Sequence, residues 1–177
     1  VKNKEVADAV VMLAVVGLVG VIFVNPIERG IGAVTDEPMY EAIEKIEQED
    51  SGLWLCERAP YPANNYPIMA GAATINSTAT YPSLETWSML DPKGEYEDIY
   101  NRYAHILVDF KQSGDTEFEL KNTDIFKVTM SVDKLKLFNV KYVLSGGDLT
   151  EFDSDKISFE ELYQRGSWKI FKVHYNN

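Results

Sequence analysis

The pattern of apolar and polar positions divides the chain into two parts. Residues 9–24 read AVVMLAVVGLVGVIFV, and no charged or strongly polar side chain interrupts them. A helix of this composition is apolar on every face and must be buried in protein or in lipid. Extended by its flanking residues, the run reaches the ~20 residues that a bilayer core requires. We therefore predict a transmembrane helix over residues 1–25.

The same run also fits two other structures. One is the central helix of a folded core, and the other is a cleaved signal peptide. Lys2 and Lys4 supply the basic start of a signal peptide, but no A-x-A cleavage site follows. In a membrane helix, these lysines favour a cytoplasmic start with the rest of the chain outside. Because the sequence begins with Val1 rather than Met, we expect the helix to be the last span of a larger membrane domain.

The apolar run ends at Asn25-Pro26, since proline cannot continue a helix and restricts the residue before it. The residues that follow include two glycines and few large apolar side chains. We predict a linker over residues 26–37 and an extracytoplasmic domain over residues 38–177.

Within that domain, the apolar pattern alternates between helical and strand-like periods. Apolar residues spaced by three and four predict helices, whereas apolar runs and alternations predict strands. This order predicts one α/β or α+β domain with a mixed β-sheet flanked by short helices. The predicted helices cover residues 38–50, 83–90, 96–106 and 131–138, and the predicted strands cover residues 53–56, 68–75, 106–110, 117–120, 124–130, 140–145 and 167–175.

Charge and composition exclude several classes of function. The chain has 17 basic and 28 acidic residues and a net charge of −11. Nucleic-acid binding needs Lys and Arg to replace the counterions of phosphates, so we expect no nucleic-acid partner. The single cysteine, Cys56, excludes an internal disulfide, and its apolar surroundings are typical of an inert buried thiol. Because no metal-ligand spacing or phosphate-binding glycine loop is present, we predict neither a metal nor a cofactor.

Residues 54–105 combine aromatic side chains with amides and hydroxyls. Aromatic rings stack on the C–H faces of sugars, while Asn and Arg bond to sugar hydroxyls, so the pattern predicts a glycan-contacting surface. It is also typical of a loop-rich lid in which aromatic rings pack and Asn side chains satisfy turns. The candidates for glycan contact are Asn76, Tyr81, Trp87, Asn101, Arg102 and His105.

Carboxylates are numerous near this segment, but the sequence singles out no catalytic pair. A glycosidase holds two carboxyl groups about 5 Å or about 6.5–9.5 Å apart, and spacing along the chain does not supply that distance. We interpret these carboxylates as solvated surface and predict no catalytic residue. A small secreted hydrolase that uses Glu85, Asp91 and His105 is the alternative. The carboxylates of the segment are Glu85, Asp91, Glu95, Glu97 and Asp98.

The order of segments resembles a known kind of membrane protein. The apolar helix is followed by NPIERG, LWLCE, NNYPIMAGAATINSTATYPSLETWSMLDP, YEDIYNRYAHI, LFNVKYVLS and SWKIFKVHY. This order resembles the C-terminal extracytoplasmic region of polytopic bacterial membrane proteins of the GT-C glycosyltransferase and YfhO-like type. The resemblance covers most of residues 9–177 and rests on segment order and a few phrases rather than on a catalytic signature.

The resemblance implies an accessory role in a sugar-transferring membrane enzyme. In such enzymes the acidic catalytic residue lies in a loop near the start of the membrane domain, and this sequence has no counterpart of that loop. The resemblance therefore implies a non-catalytic domain that contacts an acceptor glycan during cell-envelope polysaccharide or glycolipid assembly. Its expected partners are the lipid bilayer, through residues 9–24, the remainder of the parent membrane protein and a glycan. A stand-alone membrane-anchored glycan- or peptide-binding module is the alternative.

Overall fold

A computed structural model describes residues 2–22 and 32–176 of the chain. Contacts divide the chain into two compact units, residues 1–35 and residues 36–177. The α-helices are α1 (Lys2–Ile22), α2 (Gly32–Thr35), α3 (Pro38–Glu49), α4 (Tyr66–Met69), α5 (Leu84–Ser88), α6 (Glu97–Tyr100) and α7 (Leu135–Phe138). The strands are β1 (Leu53–Glu57), β2 (His105–Lys111), β3 (Glu117–Asn122), β4 (Ile125–Ser131), β5 (Val140–Ser145), β6 (Ile157–Arg165) and β7 (Trp168–Tyr175).

In the first unit, α1 carries large apolar side chains on every face. Val10, Val11, Met12 and Leu13 follow one another, and each is more than half exposed. Because successive helical residues point roughly 100° apart, this stretch presents no polar side. Across the described residues, no helix has both the length and the hydrophobicity that crossing a membrane requires. The transmembrane helix predicted over residues 1–25 is therefore not supported.

The predicted linker over residues 26–37 is described only in its second half. Residues 26–31 lie outside the described residues, as do residues 23–25 of the predicted membrane helix. The described half is helical, since it contains α2. Glu37 then precedes α3, which begins with Pro38, where the missing N–H of proline costs no helical bond.

The second unit is an α+β domain with mixed sheets and short helices, as predicted. One sheet has the order β1-β5-β7-β6, in which β1 and β5 are parallel and the other neighbours are antiparallel. The other has the order β2-β4-β3, with β2 parallel to β4 and β3 antiparallel to it. Each sheet therefore contains one parallel pair, whose carboxyl ends meet at one edge.

The two sheets meet at β1 and β2, where the side chain of Asn76 joins them. Its Oδ1 accepts the N–H of Cys56 at 2.8 Å, and its Nδ2 donates to Cys56 O at 2.6 Å and to Ile106 O at 3.4 Å. Just beyond the end of β1, the N–H of Arg58 donates directly to the carbonyl oxygen of Val108 in β2 at 2.9 Å. The Asn76 amide thus replaces a backbone partner where the strands do not pair directly.

Two apolar clusters form the core of this unit. The larger cluster packs the inner faces of both sheets and includes Leu55, Trp87 and Val128. The smaller cluster includes Ile43 of α3 and Trp54 of β1, and it covers the other face of the four-stranded sheet. These clusters fix the positions of β1 and β2, from which the site described below is built.

The structure corrects two of the elements predicted for this domain. The strand predicted over residues 68–75 is wrong, because Tyr66–Met69 form α4 and only Thr74 makes an isolated bridge, to Trp54. The helix predicted over residues 96–106 is limited to α6, and the chain is already in β2 at His105. The last strand and the strands over residues 53–56, 106–110 and 140–145 are confirmed within one or two residues.

Candidate functional site

Two exposed tyrosine rings contact a half-buried imidazole at the amino end of β2. The Tyr61 ring meets the His105 ring edge-on with centroids 5.4 Å apart, and the Tyr103 ring does so at 6.1 Å. Tyr61 is 66% exposed and Tyr103 is 48% exposed. Large aromatic side chains usually bury most of their surface, so two exposed rings beside one histidine form a distinctive surface feature.

A chain of polar side chains supports the imidazole from behind. The Asn65 amide donates to Thr78 Oγ1 at 3.1 Å, and its Oδ1 accepts the N–H of Thr78 at 2.8 Å. Thr78 Oγ1 lies 2.9 Å from His105 Nδ1. Since Thr78 Oγ1 already accepts from Asn65, its hydroxyl hydrogen is available to donate to Nδ1 of a neutral imidazole. We call Tyr61, Asn65, Thr78, Tyr103 and His105 the aromatic–histidine cluster.

Short local structures hold the cluster in place. Residues Ala63–Asn65 form a 3₁₀ turn that carries Asn65. Ala79 and Ala104 form an isolated antiparallel bridge, with mutual backbone bonds of 3.0 Å and 3.2 Å. Because Thr78 precedes one end of this bridge and His105 follows the other, the bridge brings these two side chains together. The small alanine side chains allow this close approach.

The cluster presents flat apolar faces next to neutral hydrogen-bonding groups. Its five members carry no carboxylate, so they do not supply the paired carboxyl groups of a glycosidase. Rings and hydroxyls in this arrangement suit a neutral ligand with apolar C–H faces and polar edges. Such a ligand stacks on tyrosine and bonds to the imidazole or the phenol hydroxyls.

Of the six predicted glycan contacts, the structure places only His105 in this cluster. Asn76 is fully buried, and its amide is used by the backbone of β1 and β2. Trp87 is also buried, with its ring edge-on to Phe118 and Phe126 at 6.3 Å and 5.7 Å. These two side chains stabilise the interior of the domain and do not form part of a ligand-contacting surface.

The three remaining candidates lie at the surface. Tyr81 is 85% exposed and follows the Ala79 bridge by two residues. Asn101 is exposed at the end of α6. The Arg102 guanidinium bonds to main-chain oxygens, with Nε donating to Ile99 O at 2.6 Å and Nη2 donating to Asp98 O. Arg102 therefore ends α6, and its guanidinium already serves the backbone.

Two carboxylates of the same segment differ in their surroundings. Asp91 is buried, and its two oxygens accept the N–H groups of Glu95 at 3.0 Å and Tyr96 at 2.8 Å. Glu85 is exposed in α5. Across the described residues, no group of three or more His, Cys, Asp or Glu side chains is placed to hold a metal ion.

With this geometry established, comparison with known proteins places the chain in a family. The family model of a domain of unknown function, DUF7654, matches residues 33–177. The chain belongs to the DUF7654 family. No curated protein and no solved structure matches this chain. All members of the aromatic–histidine cluster lie within the matched residues.

A second polar site in this DUF7654 domain lies at the carboxyl ends of β1 and β5. Glu57 is fully buried there. Ser145 Oγ donates to its Oε2 at 2.6 Å, and Arg58 Nε lies 2.9 Å from its Oε1. Burial raises the pKa of Glu57, whereas the Ser145 hydrogen bond and the Arg58 charge partly oppose that rise. The charge of Asp109 adds to the rise.

The backbone around Glu57 depends on two glycines and one strained residue. Arg58 adopts a left-handed conformation with φ of 47°. A Cβ atom at Gly146 would lie 2.7 Å from Arg58 O, and one at Gly147 would lie 2.9 Å from Arg58 Nη1. Both glycines therefore permit Arg58 to lie over the end of β5. Because the carboxylate beneath has no solvent-exposed surface, this arrangement is structural rather than a ligand site.

Two further groups with shifted pKa values, Asp50 and Cys56, have visible causes. Hydrogen bonds from Lys141, Lys172 and Tyr142 hold the pKa of Asp50 well below its usual range. Burial raises the pKa of the Cys56 thiol, as predicted for an inert buried cysteine. Neither group lies in the aromatic–histidine cluster.

Sequence reasoning missed four of the five cluster members. These four all lie in the aromatic and polar segment over residues 54–105, but nothing in their spacing distinguishes them from their neighbours: Tyr61, Asn65, Thr78 and Tyr103. Thr78 meets His105 because residue 79 pairs with residue 104, which lies 25 positions further along the chain. Two local signals are available in the sequence. One is the tyrosine that directly precedes proline at residues 61–62, and the other is the Tyr-Ala-His segment at residues 103–105.

Proposed function

We propose that residues 36–177 act as a non-catalytic extracytoplasmic accessory domain of a membrane-embedded glycosyltransferase. The parent enzyme would act in cell-envelope polysaccharide or glycolipid assembly. In this proposal the aromatic–histidine cluster contacts the acceptor glycan. The resemblance of the segment order to GT-C enzymes stays a prediction and supplies the enzyme class.

The exposure of two tyrosine rings on either side of His105 carries the glycan part of the proposal. Leaving aromatic surface in water costs hydrophobic free energy, at roughly 25 cal/mol per Å². A sugar ring recovers part of that free energy when it covers the tyrosine faces. The imidazole, which Thr78 holds in place, and the phenol hydroxyls supply the polar partners that orient sugar hydroxyl groups.

The uses of the two buried carboxylates support a non-catalytic role. Asp91 bonds to two main-chain N–H groups, and Glu57 bonds to Ser145 and Arg58 beneath the surface. A general acid or a glycosidase nucleophile must reach the substrate. Both of these side chains instead hold the fold together.

The surface of α1 supports the membrane part of the proposal. Large apolar side chains from Val6 to Val21 are each between 51% and 73% exposed within this chain. An apolar helix with that much uncovered surface needs an apolar environment. We propose that lipid, or the remainder of a parent membrane protein, provides it.

A stand-alone membrane-anchored module that binds glycans or peptides is the second candidate. The observation that favours it is that residues 36–177 form a compact unit with two apolar clusters of their own. The two candidates share the aromatic–histidine cluster as their binding surface. They differ in whether the chain co-purifies with the membrane domain of a glycosyltransferase.

The test is binding of the full chain to a glycan array, followed by titration of the strongest oligosaccharide. Tyr61→Ala and Tyr103→Ala should each weaken binding by about tenfold, which corresponds to ~1.4 kcal/mol. Tyr61→Phe should bind nearly as well as the wild type, because it keeps the ring. Leu120→Ala, which truncates an exposed apolar side chain on β3, is the matched control and should change nothing.

Three results would contradict the proposal. The first is a glycan signal that the Tyr61→Ala/Tyr103→Ala double variant retains in full. The second is selective binding to a peptide array with no glycan binding, which favours the second candidate. The third is turnover of a glycoside by the chain, which would refute the non-catalytic role.

A further inference from the structure

A small polar cavity lies at the carboxyl ends of the parallel strands β2 and β4. It has a volume of about 280 Å³. Residues 112–114, which follow β2, form one wall, and residues 131–134, at the end of β4, form another. The loop before β6 closes it. In open sheets with parallel strands, ligands bind beyond the carboxyl ends of the strands.

Two lysines without acidic partners line this cavity. Within residues 36–176, every lysine except Lys134, Lys136 and Lys156 forms an ion pair with a carboxylate. Two of these three, Lys134 and Lys156, line the cavity. In a chain with 28 acidic and 17 basic residues, lysines usually find a carboxylate nearby. Two ammonium groups that form no ion pair therefore lie around one cavity.

Hydroxyl groups line the same cavity between the lysines. Ser113, Ser131 and Ser154 contribute hydroxyls, and Ser154 Oγ accepts the N–H of Lys156 at 3.3 Å. That bond leaves the Ser154 hydroxyl hydrogen available as a donor. Ser131 donates to the single carboxylate of the lining, Asp133. With two ammonium groups and one carboxylate, the formal charge of the lining is 2 − 1 = +1.

We propose that this cavity binds a phosphate group, either as free inorganic phosphate or as part of a small phosphomonoester. Lysine binds phosphate as a point charge, and hydroxyls donate to the remaining phosphate oxygens. The planar guanidinium of arginine suits a carboxylate ligand better than lysine does. The described residues that line the cavity include no arginine. The site is separate from the aromatic–histidine cluster, so it stands whether or not the glycan proposal does.

Isothermal titration calorimetry of the full chain with inorganic phosphate, and separately with glycerol 3-phosphate, tests the proposal. The Lys134→Gln/Lys156→Gln double variant should raise Kd at least about tenfold. Lys136→Gln removes the one unpaired lysine of the same region that lies outside the cavity, so it should change Kd less than about twofold. Asp133→Asn should lower Kd several-fold, because it removes the only negative charge of the lining and keeps an acceptor for Ser131.

The two ligands distinguish the source of the phosphate group. Tighter binding of glycerol 3-phosphate than of inorganic phosphate identifies a phosphomonoester, and the reverse order identifies the free anion. Circular dichroism of each variant shows whether it is folded. If the double variant is unfolded, Asp133→Asn still tests the site. Absence of binding by both ligands, or an equal loss in Lys136→Gln and in the double variant, would overturn the proposal.

Discussion

At the scale of single residues, Asn76 shows how a side chain can take the place of a strand. Its amide satisfies the N–H and the C=O of Cys56 in the fully buried strip between β1 and β2. Backbone groups that lose their partners in such a place keep their desolvation cost, at ~1–3 kcal/mol each. The Asn76 side chain thus joins the two sheets, together with the direct bond from Arg58 N–H to Val108 O.

Asn76→Ala should therefore lower the free energy of unfolding by about 2–4 kcal/mol. Urea denaturation of the full chain, followed by tryptophan fluorescence, measures this change. Asn101→Ala is the matched control, since Asn101 is exposed at the end of α6, and it should change stability by less than ~0.5 kcal/mol. Equal effects of the two substitutions would show that the Asn76 amide does not join the sheets.

Asn76 also shows why sequence alone could not identify the candidate site. Its neighbours in the chain are small and polar, which is typical of an exposed loop, so a glycan contact was a reasonable expectation. The groups that determine its role lie 20 and 30 residues away, on Cys56 and Ile106. His105 is the one predicted candidate that lies in the aromatic–histidine cluster, whereas its partner Thr78 becomes apparent only through tertiary pairing.

At the scale of elements, local pattern predicted the buried strands well and the exposed elements poorly. The strands β1 and β5 are almost entirely buried and read as mainly apolar segments, LWLCE and VKYVLS. In contrast, β6 exposes Glu160, Glu161 and Leu162 in succession, so no alternation marked it as a strand. It is held by its pairing with β7, which no local signal reports. The prediction over residues 68–75 failed for the opposite reason, because its apolar residues read as a buried strand although Ile68 and Met69 are exposed in α4.

Glu57, at the end of the β1–β5 pair, leads to a prediction about how stability depends on pH. Burial raises the pKa of Glu57 above its ordinary value of 4.5, so the folded state binds the proton more tightly than the unfolded state. The stability contributed by Glu57 is therefore greatest below pH 4.5 and falls as the pH rises toward its folded pKa. Relative to Glu57→Gln, the wild type should lose ~1.4 kcal/mol for each unit by which the folded pKa exceeds the unfolded pKa.

Urea denaturation of wild type and Glu57→Gln between pH 4 and pH 8 measures this difference. Comparing the two proteins cancels the opposite trend of Asp50 and Asp148, whose pKa values are lowered and whose stabilising contributions are lost toward acid pH. Glu85→Gln, at an exposed position of α5, should run parallel to the wild type. A stability difference between wild type and Glu57→Gln that stays constant with pH would contradict a raised pKa.

At the scale of the whole molecule, the two units differ sharply in character. Residues 36–177 bury two apolar clusters beneath a strongly acidic surface, whereas α1 exposes its apolar side chains along its length. Anionic headgroups repel the acidic unit, so any attachment to lipid must come from the apolar surface of α1 rather than from charge. The proposed membrane association therefore depends on a single element.

That dependence can be tested by placing charge on α1 while keeping it helical. The full chain should float with phosphatidylcholine vesicles in a density gradient, and Leu13→Glu/Leu18→Glu should leave it at the bottom. Both leucines are among the exposed apolar residues of α1, and each glutamate in an apolar phase costs several kcal/mol. Leu162→Glu, at an exposed apolar position of β6, is the matched control and should float as the wild type does. If the wild type does not float, lipid is not the environment of α1. If the double variant floats equally well, attachment lies elsewhere, and in either case the proposal that α1 attaches the chain to lipid fails.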